Sequence, residues 1–457
     1  MSGPMALEPG GTGDDTLSLR LADRSPARPA PGTGADRDAV DRLAAELAEG
    51  IGPAVHPYEV AALLESEGLT AEVIQERYGH PNLFSLASAL YERVPRTFPE
   101  PPRPGDPWRP DHVRCGLRGA LFALPGLAYL LTGGLWHAGR DLDVLVVAGL
   151  VSWAWGQALG HRAYLRMATG RREAGLTLLK GAPLGALAAT GAGALLAGSG
   201  TAIEVAAAQS VYLSAAGVLL VLGGERLLLA ALTPLVAGAA ALPWWDPGTV
   251  PRVALPLLSV HGSVAATGWA LRAALGASPA PGGARPSPLR SLPYGVFGFS
   301  AGVLVLLEGR QHPYAVVVLT VSMGPAEWLL YRYRGMSVSA LRATATPAAF
   351  LLRSTGVLGL CLLSYVLPLL PAALLTGAEP VPLLLLAATL WTALLLQAFG
   401  AAWQPAAVCL AAAVAAASAV VLRALPGPVV LTLSCGTACL CLTACAVRLL
   451  GRPAPHA

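Results

Sequence analysis

VVAGLVSWAWGQALGHR, residues 146–162, returns in altered form as VVVLTVSMGPAEWLLYR, residues 316–332. Val146, Val147, Val151, Ser152, Leu159 and Arg162 stand opposite Val316, Val317, Val321, Ser322, Leu329 and Arg332, and Gln157 stands opposite Glu327. The offset is about 170 residues, and self-similarity at a fixed offset is the signature of a repeated architecture. In both places a hydrophobic run enters a basic, helix-compatible segment, and a second hydrophobic run follows. This predicts two copies of one helical membrane unit, an arrangement in which two bundles rock against each other around a central cavity.

Composition agrees. The chain is 54% hydrophobic and 13% charged, whereas a soluble domain has about 25% charged residues. The shortage of charge is regional. Residues 1–37 are rich in Gly, Pro, Ala, Ser and Asp and are expected to be disordered and to contain no secretory signal. Residues 38–94 read as a small helical region, with Val40, Leu43 and Leu47 on one face and Leu83, Leu86, Leu90 and Val94 on another. A helix is expected after Pro57, and another over Ala71–Tyr78, capped by Thr70 and stopped by Gly79. His56 and His80 read as loop histidines. Residues 95–110 form a proline-rich, semi-rigid linker.

Beyond the linker the pattern predicts about twelve spans of about 20 residues each. They lie near 115–136, 143–161, 176–198, 202–222, 227–245, 253–272, 293–309, 314–331, 353–375, 380–400, 404–422 and 427–447. The expected fold class is therefore an all-α integral membrane protein with two six-helix halves, residues 111–276 and 293–450. A linker of residues 277–292 joins the halves, and residues 451–457 form a short tail. Arginine falls in alternate loops. With the N-terminus inside, the inner loops carry Arg162, Arg166, Arg171, Arg172, Arg332, Arg334 and many others, and the outer loops only Arg140, Arg252, Arg310 and Arg423. The positive-inside rule then puts both termini in the cytoplasm of a cell whose plasma membrane the chain spans.

The net charge of +4 reflects this topology and implies no nucleic-acid partner. Cys435, Cys439, Cys441 and Cys445 share one span and read as small apolar residues, because one straight helix cannot converge four ligands on a metal. No metal or other cofactor is expected. No Walker A, His-Glu-x-x-His or Gly-x-Ser-x-Gly motif offers a seat for ATP hydrolysis or standard hydrolase chemistry.

Polar groups inside spans are functional suspects, because burying them is costly. Arg118, Gln157, His261 and Glu327 are the candidates for a substrate cavity. Three of them have a plainer reading: an end marker for Arg118, a hydrogen bond to a neighbouring helix backbone for His261, a snorkelled pair with Arg332 for Glu327. Arg162, Arg166, Arg171, Arg172, Arg332 and Arg334 form basic amphipathic segments that suit the inner leaflet and attract anionic lipid headgroups. Glu204, Gln209 and Gln397 are weaker candidates, and Glu225-Arg226 reads as interfacial.

Gly170-Arg171-Arg172-Glu173-Ala174 leads into the third span. With the two-half layout, this resembles the multidrug/oligosaccharidyl-lipid/polysaccharide (MOP) flippase superfamily, of the Wzx or lipid II flippase type. The resemblance covers residues 115–450 and implies export of a lipid-linked glycan precursor, with the first, second, seventh and eighth spans lining the cavity. The major facilitator fold has the same layout, but its loop after the second span usually holds an Asp-Arg pair that is missing between Gly160 and Gly170. Two other classes stay open. Asp141 and Asp143 could share a cation in a polytopic glycosyltransferase, although the outer loops are short. A non-catalytic scaffold of an envelope assembly system would explain residues 38–94 as a docking module for a cytoplasmic protein.

Overall fold

The computed structural model describes residues 34–97, 110–133, 140–196, 200–244, 247–279 and 286–456. The expected disordered tail through residue 33, most of the proline-rich linker and the middle of the inter-half linker lie outside the described residues. The chain divides into two units, Met1–Gly105 and Asp106–Ala457.

In the first unit, α1 (Gly34–Glu46), α2 (Ala48–Ile51), α3 (Pro57–Ser66), α4 (Ala71–Tyr78) and α5 (Leu83–Arg93) enclose a core of Val40, Ile51, Val60, Leu64, Ile74, Leu86 and Leu90. Local chemistry sets the boundaries. The Thr70 side chain accepts from the Val73 N–H at the start of α4. Gly79 ends that helix at φ +65°, a left-handed conformation that only glycine adopts without a Cβ penalty, and its N–H donates to the Ile74 carbonyl. His56 caps α3, its Nδ1 accepting from the Tyr58 N–H at 3.2 Å. His80 bonds Ser85 Oγ at 2.8 Å. Burial and the nearby Arg93 charge hold its imidazole below the ordinary value. In α3 the buried face is Val60, Ala61 and Leu64, while Tyr58 is exposed.

The second unit is all helix among its described residues. Its elements are α6 (His112–Ala123), α7 (Leu127–Thr132), α8 (Arg140–Met167), α9 (Arg171–Ala194), α10 (Gly200–Leu222), α11 (Glu225–Ala241) and α12 (Thr249–Leu275). They are followed by α13 (Leu292–Gln311), α14 (Pro313–Arg342), α15 (Pro347–Val366), α16 (Leu369–Thr376), α17 (Pro380–Ala398), α18 (Trp403–Val421) and α19 (Gly427–Leu450). Helices stand at all of the expected span positions. Among the described residues, ten segments are long and apolar enough to cross a membrane, two fewer than expected. The two that fall short are α9 and α11. The first carries Arg171, Arg172, Glu173 and Lys180, and the second has only 17 residues, or roughly 26 Å against a hydrocarbon core of about 30 Å.

The two halves are built alike. One buried cluster draws on residues from Leu121 to Ala274 and another on residues from Phe297 to Leu450. Packing partners recur in order. The first span, α6 and α7, lies on α11, as α13 lies on α18. Likewise α8 lies on α9 as α14 lies on α15, α10 on α12 as α17 on α19, and α11 on α12 as α18 on α19. The halves meet along two seams, α6 against α14 and α8 against α13. An exchange of the halves turns one seam into the other.

Candidate functional site: two seams and a cavity

At the first seam two backbones cross almost in contact. A Cβ added to Gly324 would lie 2.7 Å from the Cys115 carbonyl, and one added to Gly119 would lie 3.0 Å from the Val321 carbonyl. Small residues allow such approach between membrane helices. Beside the crossing, Arg118 of α6 bridges the halves. Its Nη1 donates to Glu327 Oε1 on α14. Its Nη2 and Nε donate to Glu225 Oε1, at 2.9 and 3.1 Å. Arg114, one turn earlier, adds a bond from its Nε to the same oxygen at 2.8 Å. The Glu225 side chain is 8% exposed and that of Arg118 15%. Trp328 Nε1 closes the end of the seam by donating to His112 Nδ1 at 2.9 Å.

The second seam holds the exchange-related positions with different chemistry. Gly295 faces Ala154 and Ala158, as Gly119 faces Val321 and Gly324. In place of the ion cluster, His161 stacks on Tyr294 with ring centroids 3.7 Å apart and hydrogen-bonds Ser291 Oγ at 3.1 Å. Above this stack, Gln157 and Trp153 fill the notch at Gly298, and Leu150 the notch at Gly302. At the far end Arg310 donates to Asp143 at 3.2 Å. The α8–α13 seam is therefore in contact from Asp143–Arg310 at one end to His161–Tyr294 at the other.

The first seam parts midway. α6 gives way to a 3-10 turn at Leu124–Gly126, where Pro125 denies the helix a backbone donor. Beyond it α7 packs on α11 and α12. A cavity of ≈ 540 Å³ opens where the first span has left α14. Its wall includes Phe122 and Pro125 from the first span, Trp153 from α8, and Val316, Val317 and Thr320 from α14. Further lining comes from α7, α10, α11 and α12. Most of the lining is apolar. The polar exceptions include Glu204, Gln209, Tyr129 and Tyr212. Gln209 accepts from the Tyr129 hydroxyl at 2.9 Å and donates to the Leu145 carbonyl at 3.2 Å.

None of the four cavity candidates read from the sequence lines this cavity, and only two of them meet. Arg118 and Glu327 meet one turn or more below it, and Arg118, not Arg332, is the partner of Glu327. Gln157 lies in the second seam. His261 is exposed on α12 and its Nδ1 bonds the Leu257 carbonyl of its own helix at 2.7 Å. Arg171 donates to the Leu222 carbonyl, while Arg332 and Arg334 lie over the rings of Trp328 and Phe399. Arg162 and Arg166 stand in the last turns of α8 and Arg172 in the first turn of α9. The Asp141/Asp143 pair is divided, with Asp141 buried and Asp143 on Arg310. Glu225 was assigned to the interface by sequence and is the hub of the cluster. The available signal was the i, i+4 spacing of Arg114 and Arg118, which puts two cations on one helix face in need of a carboxylate.

No protein-family model matches the chain, and no curated protein matches it significantly. A solved structure described as the outward-facing conformation of a multidrug resistance MATE family transporter of the MOP superfamily is similar to it. The TM-score is 0.44 at 13% identity, over 75% of this chain and 97% of that one.

Proposed function

We propose that this chain is a membrane carrier that moves an amphipathic substrate by alternating exposure of the space between its two halves. The observation that carries this reading is the unequal first seam. It is bolted by Arg118, Glu225 and Glu327 at the basic end and parted by the Pro125 turn where the cavity begins. A cavity open toward one face and an ionic latch toward the other are the two parts that an alternating-access cycle requires. Breaking the latch while the parted helices close would present the same walls to the opposite side.

The lining supports an amphiphile. Apolar walls suit a lipid chain, and Glu204, Gln209 and Tyr129 offer hydrogen bonds to a hydroxyl-rich head. We assign the substrate to lipid-linked glycan precursors, exported across the plasma membrane, with both termini and the basic end in the cytoplasm. In this reading the chain is not an enzyme. Its N-terminal unit docks a cytoplasmic protein through the exposed Val55, Tyr58 and Phe84.

The test is flux of a fluorescent polyprenyl-linked sugar across proteoliposomes containing the purified chain. Ala208→Trp fills the cavity without touching either seam and should abolish flux. Unchanged flux in Ala208→Trp, or none in the unaltered chain above protein-free vesicles, would remove the proposal.

A further inference from the structure

The second half holds a deficit of negative charge that the transport reading does not use. From residue 328 to 378 there is no Asp or Glu, yet this stretch contains Arg332, Arg334, Arg342 and Arg353. Beyond Glu379 there is again no acid, while Arg448 and Arg452 close α19. Glu327 is committed to Arg118.

Two of these cations line one groove. It lies between α14 and α15, with a volume of ≈ 620 Å³, and its floor includes Gly335, Gly356 and Met336. Arg332 enters from α14 and Arg353 from α15. Both have neutral partners: Arg332 lies 5.7 Å from the Trp328 ring centroid, and Arg353 Nη1 donates to the Ala343 carbonyl at 3.4 Å. Among the described residues neither guanidinium is paired with a carboxylate. An uncompensated cation pair in a cleft attracts an anion, and guanidinium favours phosphate oxygens. From Arg353 the same face of α15 continues through Leu360, Leu363 and Leu367, all exposed and spaced at helical intervals. A phosphate-sized charge site at the mouth thus runs into an apolar track.

We infer that this groove binds an acidic phospholipid of the surrounding leaflet, with its phosphate between Arg332 and Arg353 and an acyl chain along Leu360 and Leu363. The groove shares no lining residue with the cavity. It stands whatever the cavity carries.

Full-length protein in a neutral detergent is titrated with dioleoyl phosphatidylglycerol or dioleoyl phosphatidylcholine, and bound lipid is counted by native mass spectrometry. The glycerol lipid should be retained in preference to the choline lipid. Arg332→Gln with Arg353→Gln should weaken its retention roughly tenfold or more, since two surface cations are lost. Arg448→Gln with Arg452→Gln removes equal charge outside the groove lining and should change it little. A Cβ at Gly356 meets nothing within 4 Å, so Gly356→Trp should fold, fill the groove and expel the lipid with both arginines intact. Equal retention of the two lipids, equal loss in both arginine pairs, or undiminished binding in Gly356→Trp overturns the inference. Full occupancy by inorganic phosphate in competition with the lipid would make it a free-anion site and overturn the lipid assignment.

Discussion

The two seams occupy equivalent places and solve the same packing problem in different ways. Along α8 and α13, side chains drop into glycine notches at Gly298 and Gly302, a ring stack closes one end and an exposed ion pair the other. Along α6 and α14 there is a largely buried charge cluster at the basic end, then a single close backbone crossing at Gly119 and Gly324, then separation. The first arrangement spreads many small dispersion contacts over a long interface, so no one contact releases it. The second concentrates its cohesion in a few charged groups held away from water. Such a cluster is strong when complete and costly when broken, which makes it the more switch-like of the two. At exchange-related positions the two seams carry Tyr294 on α13 and Arg118 on α6, the one in a ring stack and the other in an ion cluster.

The largest expected effect comes from Arg118→Ala. It leaves the Glu225 and Glu327 carboxylates facing each other with only the half-exposed Arg114 to compensate, and breaking a buried ion group of this kind costs about 3–5 kcal/mol. Thermal unfolding of the purified protein should show the loss. Glu327→Leu added to Arg118→Met should recover much of it, because an apolar pair of similar volume is often as stable as the ions it replaces. If the double variant is as unstable as Arg118→Ala, the bridge is not the seat of the cohesion.

Next in size is a paired glycine test. Gly324→Ala drives a Cβ into a carbonyl of the partner helix, which only backbone movement relieves, so overpacking should cost roughly 1–3 kcal/mol. Gly298→Ala meets the Gln157 side chain instead, and that chain can turn aside. Equal melting temperatures for the two variants would show that the seams are packed alike.

Sequence made part of this contrast legible. Span positions follow from local length and apolarity, so a helix stands at each expected position, but the pattern predicts about twelve spans where ten segments among the described residues are long and apolar enough. Pro125 stands within the first expected span, and a proline there interrupts a helix. What the interruption does depends on which helix lies opposite it, and no local pattern records that. Gln157 and Glu327 were matched by the repeat, yet one fills a notch and the other takes a charge. Glu225 escaped because it lies 107 residues from Arg118, in a helix whose first turn looks like any interfacial end. His261 shows the converse: a polar residue at mid-span satisfied by its own helix backbone, which spacing alone does not separate from a functional one.

The smaller predictions concern the two ends of the α8–α13 seam. His161→Ala removes the ring stack on Tyr294, and such stacks are worth about 0.5–1.5 kcal/mol beyond area burial. Tyr294→Phe keeps the ring and should be nearly silent, which separates stacking from loss of the hydroxyl. At the other end Asp143→Asn removes an exposed pair, with both side chains more than half accessible. Solvent and salt screen it, and its removal should change stability by about 0–1 kcal/mol, less at high ionic strength. The informative readout is the ranking of the two. Were Asp143→Asn to cost more than His161→Ala in the same melt, the α8–α13 seam would be held by charge after all, and its contrast with the charged latch would fall.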